Sequence, residues 1–194
     1  ADKAPNTYAH FIKGLNDIRI GWFMKVEKIN SVARNDREKK HQTQKHSNEE
    51  LAKAFVEDSP ELEDIDINYI AIVVGLIKER ATFVSDFWDL SYFFFSTPTD
   101  LDQKGVKKAW KEDTPNIMTE LLDVIKSIDI FEKENVQDHI KRWITSNEIG
   151  FGKVMMPLRL ALVGALQGPD VFDIIFMIGK DETIRRLENI INTL

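Results

Sequence analysis

The strongest constraint on the fold is the spacing of apolar residues at intervals of three and four. After Thr114-Pro115, one helical face carries Met118, Leu121, Leu122, Ile125 and Ile128. The same spacing recurs after Gly179, at Ile184, Leu187, Ile190, Ile191 and Leu194. We expect Gly179 to end the helix before it. Because apolar faces of this width must be buried, the sequence predicts packed amphipathic helices.

Several short patterns mark where helices should begin. Ser47 and Glu50 have the spacing of a capping box, in which each side chain accepts an amide of the first turn. Ser59-Pro60 and Thr114-Pro115 each place a capping oxygen before a proline suited to a first helical turn. Residues 67–95 contain β-branched and aromatic residues but keep helical spacing without a hairpin dipeptide, so we predict helices there. We expect the aromatic run 92–95 to lie in the core.

The length of 194 residues allows one domain or two small ones. The amphipathic pattern stops near residues 126–134, where charged residues enter. We therefore predict an all-α fold of two packed helical-bundle subdomains, residues 47–126 and 127–194. Residues 1–46 form a basic segment that we assign to neither subdomain, with one helix from about residue 34 to 45.

Charge is distributed unevenly along the chain. The net charge of -6 combines +5 in residues 1–48, -9 in residues 49–100 and -2 in residues 101–194. Taken alone, this acidity argues against RNA binding. No apolar stretch has the roughly 18 residues of a membrane helix, and Cys is absent. The first residues lack signal-peptide order and an initiator Met, so we expect upstream sequence and a cytoplasmic protein without membrane contact.

The motifs of common enzymes and metal sites are missing. Gly150-Phe-Gly152 lacks the third glycine and the preceding strand of a nucleotide cradle. The histidines at 10, 41, 46 and 139 form no HExxH motif, and the acidic run 57–66 lacks the central glycine of a calcium loop. We therefore predict no catalytic residues, metal or cofactor in this chain.

The segment from residue 150 to the C-terminus is the most informative. Arg159 lies among leucines after Pro157, which we expect to open a helix. Gly168-Pro169-Asp170 predicts a second helix start, whose amides and dipole could meet an electronegative ligand edge. The alternative is a tight interhelical turn with a structural arginine.

This segment resembles the C-terminal signature of bacterial glutamyl-tRNA synthetases. The matching residues are Gly152, Pro157, Leu158, Arg159, Ala161, Leu162, Gly164, Pro169, Phe172, Gly179, Lys180 and Arg186. Residues 76–95 resemble the first anticodon-domain helix pair of the family, and residues 47–55 resemble its link into that domain. The resemblance covers residues 47–194. Residues 1–46 show no such match and either stay unassigned or belong to the part of the full-length synthetase that contacts the tRNA stem.

The resemblance implies the all-helical anticodon-binding region of a class I synthetase. The parent joins glutamate to its tRNA using ATP and Mg²⁺, and this chain would bind glutamate tRNA as a monomer, with no DNA or membrane partner. The sequence contains neither the HIGH-like nor the KLSK-like motif of the catalytic half, so we expect the chain to be inactive alone. The alternative function is a helical protein-interaction module without RNA binding.

The resemblance also implies particular contact residues. Arg80 aligns with the arginine that approaches the last anticodon base; the alternative is an ion pair with Asp86 or Glu79. Gly168 and Val171 align with the loop that contacts the first anticodon base, where one member of the family has threonine and leucine. That difference leaves only backbone amides and an apolar contact.

Further basic residues could contact the RNA backbone. Arg159 is interpreted as structural or as a backbone contact. Lys104, Lys107, Lys108 and Lys111 recur at helical spacing. They form either a phosphate-facing stripe or an ordinary solvated face.

Overall fold

The structure, a computed structural model, describes residues 45–194. Within this range lie eight α-helices, three short 3₁₀ turns and no strand. The helices are α1 (Asn48–Asp58), α2 (Ile67–Ile77), α3 (Phe87–Phe95), α4 (Gln103–Ala109), α5 (Thr114–Lys126), α6 (Lys133–Ser146), α7 (Phe151–Val163) and α8 (Val171–Thr193). The all-α prediction is confirmed for this part of the chain. His10 and His41 lie outside the described residues. So does the helix predicted at about 34–45, except for Lys45.

The predicted capping box is present at the start of α1. The Ser47 hydroxyl accepts the amide of Glu50 at 3.2 Å, and the Glu50 carboxylate accepts the amide of Ser47 at 3.1 Å. The helix predicted at Ser59-Pro60 is only the three-residue 3₁₀ turn Pro60–Leu62. The Ser59 side chain makes no cap there, and Asp66 starts α2 soon afterwards by accepting the amide of Asn68. The stronger cap therefore determines where the next α-helix begins.

Two proline and threonine predictions need correction. Helix α5 begins at Thr114, as predicted, but the Thr114 hydroxyl does not cap it and instead accepts the amide of Lys111 at 2.9 Å. Pro157 does not open a helix, because α7 has already begun at Phe151 and contains the proline. Pro157 is buried inside the helix, where it cannot donate a backbone hydrogen bond.

Among residues 45–194, three glycines have positive φ, and two of them, Gly164 and Gly179, end or break helices in the C-terminal half. Gly164 ends α7 with φ 79° and ψ -7°, the left-handed conformation that suits glycine. Gly179 has φ 81° and ψ 173°, a region almost confined to glycine, and breaks α8 as the sequence predicted.

A continuous hydrophobic core joins the helices. Helix α1 packs on α2, α2 on α3, and α4 on α7, while α8 contacts α5, α6 and α7. The predicted face of α5 is buried, as are Phe93 and Phe94 of the aromatic run. The division at residue 126 stays a prediction. Between residues 45 and 194, none of the helices has both the length and the apolar character needed to cross a bilayer.

Candidate nucleic-acid interface

The fold brings Arg80 to the turn between α7 and α8. Arg80 ends the 3₁₀ turn Lys78–Arg80, and its side chain is exposed. Its Nη1 donates a hydrogen bond to the carbonyl oxygen of Gly168, 88 residues further along the chain. The carboxylate of Asp86, the alternative partner of Arg80, accepts the amides of Thr82 and Phe83 at 2.8 and 2.9 Å. Two residues that the resemblance selected are thus in direct contact.

A second arginine holds the same turn. Nη1 of the half-buried Arg159 donates to the carbonyl oxygen of Pro169 at 2.6 Å. Burial lowers the pKa of Arg159, Asp170 counteracts this, and the positive charge of Arg80 lowers the pKa further. Both guanidinium groups bind adjacent carbonyl groups of this turn, which brings them near each other. Arg159 is therefore bound to the backbone of the turn, and its predicted contact with an RNA backbone stays a prediction.

The conformation of the turn requires glycine at its centre. Gly168 has φ 147°, and a Cβ added there would lie 3.3 Å from Nη1 of Arg159. A residue with a Cβ would be strained by the backbone and crowded by this arginine. A threonine at this position would therefore require a different turn.

The start of α8 completes the turn. The Asp170 carboxylate accepts the amide of Phe172 at 2.9 Å and so caps the helix, which confirms the predicted helix start. Val171, by contrast, is only 2% exposed. Its proposed contact with a base would need the side chain to leave the core. The exposed side chains of the turn are those of Gln167 and Asp170.

Lysines of α6 lie beside the first turn of α8. The ammonium of Lys133 is 2.5 Å from the Asp173 carboxylate, and this hydrogen bond is the main cause of the raised pKa of Lys133. Lys141 is exposed, with its ammonium 6.0 Å from the centre of the Phe172 ring. Sequence reasoning missed both residues, because the only signal is an eight-residue spacing that an ordinary surface helix would also show.

The predicted lysine stripe lies on α4. Lys104, Lys107 and Lys108 are exposed, and Lys111 lies beyond the helix end with its ammonium 2.5 Å from the Lys107 carbonyl. Helix α4 approaches α7 closely, since a Cβ at Gly105 would be 3.3 Å from Leu160 and Leu166. Leu166 lies two residues before Gly168, so the helix that carries these lysines packs close to the turn.

Other signature residues stabilise the fold. The Lys180 ammonium donates to the carbonyls of Lys126 and Ile128 at 2.9 and 2.6 Å, at the C-terminus of α5. Arg186 is 3% exposed and donates to the carbonyl of Leu162 at 2.6 Å. These residues could be found from the resemblance, but their roles depend on contacts that the sequence does not reveal.

The described histidines and acidic residues form no recognisable reactive cluster. His46 lies 3.5 Å from Glu50 on the surface, and Nδ1 of His139 is 2.8 Å from the Asn135 carbonyl. In the part of the chain from residue 45 onward, no three His, Asp or Glu side chains are grouped so that they could hold a metal ion.

This fold and site define an all-helical domain in which two arginines bind one interhelical turn. The family profile described as "Anticodon binding domain" matches residues 47–191, and the chain belongs to this family. Among known proteins, the glutamate–tRNA ligase of Christiangramia forsetii is 55% identical over 156 residues, covering 79% of this chain and 31% of that protein. The glutamate–tRNA ligase of Flavobacterium johnsoniae is 53% identical over 63% of this chain and 24% of its own length.

Solved structures agree with these relatives. The crystal structure of a glutamate tRNA ligase from Elizabethkingia meningosepticum, in complex with its amino acid, matches with a TM-score of 0.72 and 43% identity. The match covers 78% of this chain and 30% of that one. The chain therefore spans about a third or less of the relatives' length and corresponds to their C-terminal, anticodon-binding part, as predicted.

Proposed function

We propose that this chain binds the anticodon arm of glutamate tRNA, as the RNA-recognition part of a glutamate–tRNA ligase. The observation that carries the proposal is the contact between the exposed Arg80 and the Gly168 carbonyl. Arg80 aligns with the family arginine that approaches the last anticodon base. The turn at Gly168 aligns with the segment that contacts the first anticodon base, so this contact joins the two aligned sites. Family membership and the names of the relatives support the same function.

The chemistry of Arg80 suits a base with acceptors. One N–H is bonded to Gly168, and the rest of the planar guanidinium can still donate. A cytosine edge offers its carbonyl oxygen and ring nitrogen as acceptors, whereas the guanine edge that pairs with cytosine presents N–H donors. Unpaired loop bases are recognised through such edges and by stacking on guanidinium planes. Arg80 would therefore favour cytosine at the last anticodon position.

The surrounding lysines would bind the RNA backbone. Exposed lysines on α4 and Lys141 on α6 lie on elements that pack beside the turn. Contacts to phosphates position an RNA without reading its sequence. The overall acidity of the chain does not exclude this function, because local charge determines where RNA binds.

The remaining activity of the parent would lie outside the matched region. In this proposal the parent enzyme uses ATP and Mg²⁺ to activate glutamate and transfers it to the tRNA. The chain described here would contribute affinity and selection among tRNAs, without a catalytic residue of its own.

The test is a binding titration with synthetic anticodon stem-loop hairpins of glutamate tRNA. We expect binding that weakens steeply with salt and prefers cytosine to guanine at the last anticodon position. Arg80→Gln should reduce that preference by roughly 5- to 150-fold, equivalent to about 1–3 kcal/mol for one base contact. A control variant, Lys53→Gln, removes an exposed cation of α1 and should leave the preference unchanged.

Footprinting of the full glutamate tRNA provides the second measurement. Protection confined to the anticodon arm would support the proposal. Equal binding of all hairpins would refute base recognition, and the lack of any RNA complex at low salt would favour a protein-interaction module.

A further inference from the structure

Arg80 and Arg159 bind consecutive carbonyl groups of one turn. Arg80 donates to Gly168 and Arg159 donates to Pro169. The Gly168 carbonyl belongs to the peptide bond that joins Gly168 to Pro169. A movement of Pro169 therefore also moves the acceptor of Arg80. The turn is further fixed at its C-terminal side by the Asp170 cap of α8.

We propose that Arg80 and residues 168–170 act as one energetically coupled base-reading unit. In this unit the Gly168 carbonyl orients the Arg80 guanidinium, and Arg159 is a positioning residue that fixes the turn. The inference rests on the proposed function and deepens it. It states that selection of the last anticodon base depends on a turn that need not touch that base.

The physical reason is the freedom of an exposed arginine. A long side chain on the surface populates many rotamers, and ordering it on binding costs free energy. A hydrogen bond already formed to Gly168 removes part of that cost before the RNA arrives. It also aims the remaining N–H groups in one direction, which increases discrimination between acceptor and donor edges.

Glycine at 168 is what allows this arrangement. Its φ of 147° disfavours any residue with a Cβ, and the added Cβ would crowd Nη1 of Arg159 at 3.3 Å. Gly168→Ala should therefore shift the turn and its carbonyl while leaving Arg80 unchanged in sequence.

The experiment is a double-mutant cycle with Arg80→Gln and Gly168→Ala. The probes are anticodon stem-loop hairpins of glutamate tRNA with cytosine or guanine at the last anticodon position. We expect Gly168→Ala to lower the cytosine preference about 5- to 10-fold when Arg80 is present and to have no effect on it in the Arg80→Gln background. Gly150→Ala is the matched control, because Gly150 has φ -62° and an added Cβ would lie 3.9 Å from the Lys153 side chain, an ordinary contact distance.

Additive effects in the cycle would overturn the coupling while leaving the proposed function intact. Failure of the unmutated chain to bind either hairpin would reject the proposed function and the coupling together. If Gly168→Ala does not fold, Arg159→Gln replaces it as the turn variant. NMR of the arginine side chains in the RNA-free chain gives an independent measure. Faster exchange of the Arg80 guanidinium protons in the turn variant supports the coupling, and unchanged exchange contradicts it.

Discussion

Glu182 and the buried Arg186 form a 2.7 Å ion pair within one helix. The same carboxylate accepts hydrogen bonds from Thr97 at 2.8 Å and from Arg185 at 2.7 Å. Burial alone would raise the pKa of Glu182, but the bonds from Arg185, Arg186 and Thr97 outweigh it and lower the pKa to about 2. Because Arg186 also bonds to Leu162, this pair connects the C-terminal half of α8 to the end of α7.

The stability of the chain should therefore depend on pH through Glu182. Its pKa is lower in the folded chain than the 4.5 of an unperturbed glutamate, so its contribution is complete above about pH 4.5 and is lost as the pH falls towards 2. Glu182→Gln should lower the free energy of unfolding by on the order of 2–3 kcal/mol at pH 7. Near pH 2 the two proteins should differ little. Urea unfolding across this pH range measures the difference.

Glu120→Gln is the control for loss of a negative charge. Glu120 is exposed on α5, and its substitution should change stability by less than about 0.5 kcal/mol. A Glu182→Gln effect of equal size at pH 7 and pH 2.5 would contradict the assignment of the pH dependence to this carboxylate.

Removing the Lys180 ammonium should destabilise the fold. Lys180→Met deletes two hydrogen bonds to carbonyls at the end of α5, where a positive charge also favours the helix dipole. We expect a loss of about 1–2 kcal/mol in chemical unfolding. Lys153→Met is the comparison, since it breaks only an exposed pair with Asp113 and should cost about 0–1 kcal/mol. Equal losses would rule out the capping role.

Gly164 should tolerate substitution least among the glycines of α7 and its end. Its φ is 79°, and an added Cβ would lie 2.7 Å from the backbone carbonyl oxygen of Asp100. Gly164→Ala should cost about 2 kcal/mol or more, because backbone must move. Gly152→Ala, inside the same helix with 3.8 Å to Met156, should be neutral or stabilising by up to about 1 kcal/mol. Thermal unfolding of both variants decides the order, and a reversed order would contradict it.

The lysines of α4 should affect RNA affinity without affecting base preference. Replacing Lys104, Lys107 and Lys108 with Gln removes three exposed positive charges. If they contact phosphates, the slope of log K against log salt should become shallower by about 2. The preference for cytosine over guanine should not change. An unchanged slope would indicate that these lysines form an ordinary solvated face.

Local chemistry made parts of the fold predictable from sequence. The Ser47 capping box, the apolar face of α5 and the break at Gly179 each depend on neighbouring residues, and the structure contains all three. The helix at Ser59-Pro60 failed because Asp66 caps a competing start a few residues later. The prediction that Pro157 opens a helix was wrong, because the proline lies buried inside α7. Local preference alone would place a proline at a helix start.

The candidate site was predictable only in part. The resemblance selected Arg80 and Gly168, but their contact requires a fold that joins two distant segments. Val171 was expected to offer an apolar contact, and its burial depends on how α8 packs. Lys133 and Lys141 carried no signal, since a lysine beside a turn in space has the same sequence context as any surface lysine.

The distance of 88 residues between Arg80 and Gly168 has a consequence for biosynthesis. A nascent chain that has emerged only as far as α6 contains the arginine but lacks its carbonyl partner. The contact between Arg80 and Gly168 can form only once the turn between α7 and α8 has left the ribosome and docked. Termination of synthesis between Arg80 and Gly168 would yield a product in which the arginine lacks this acceptor.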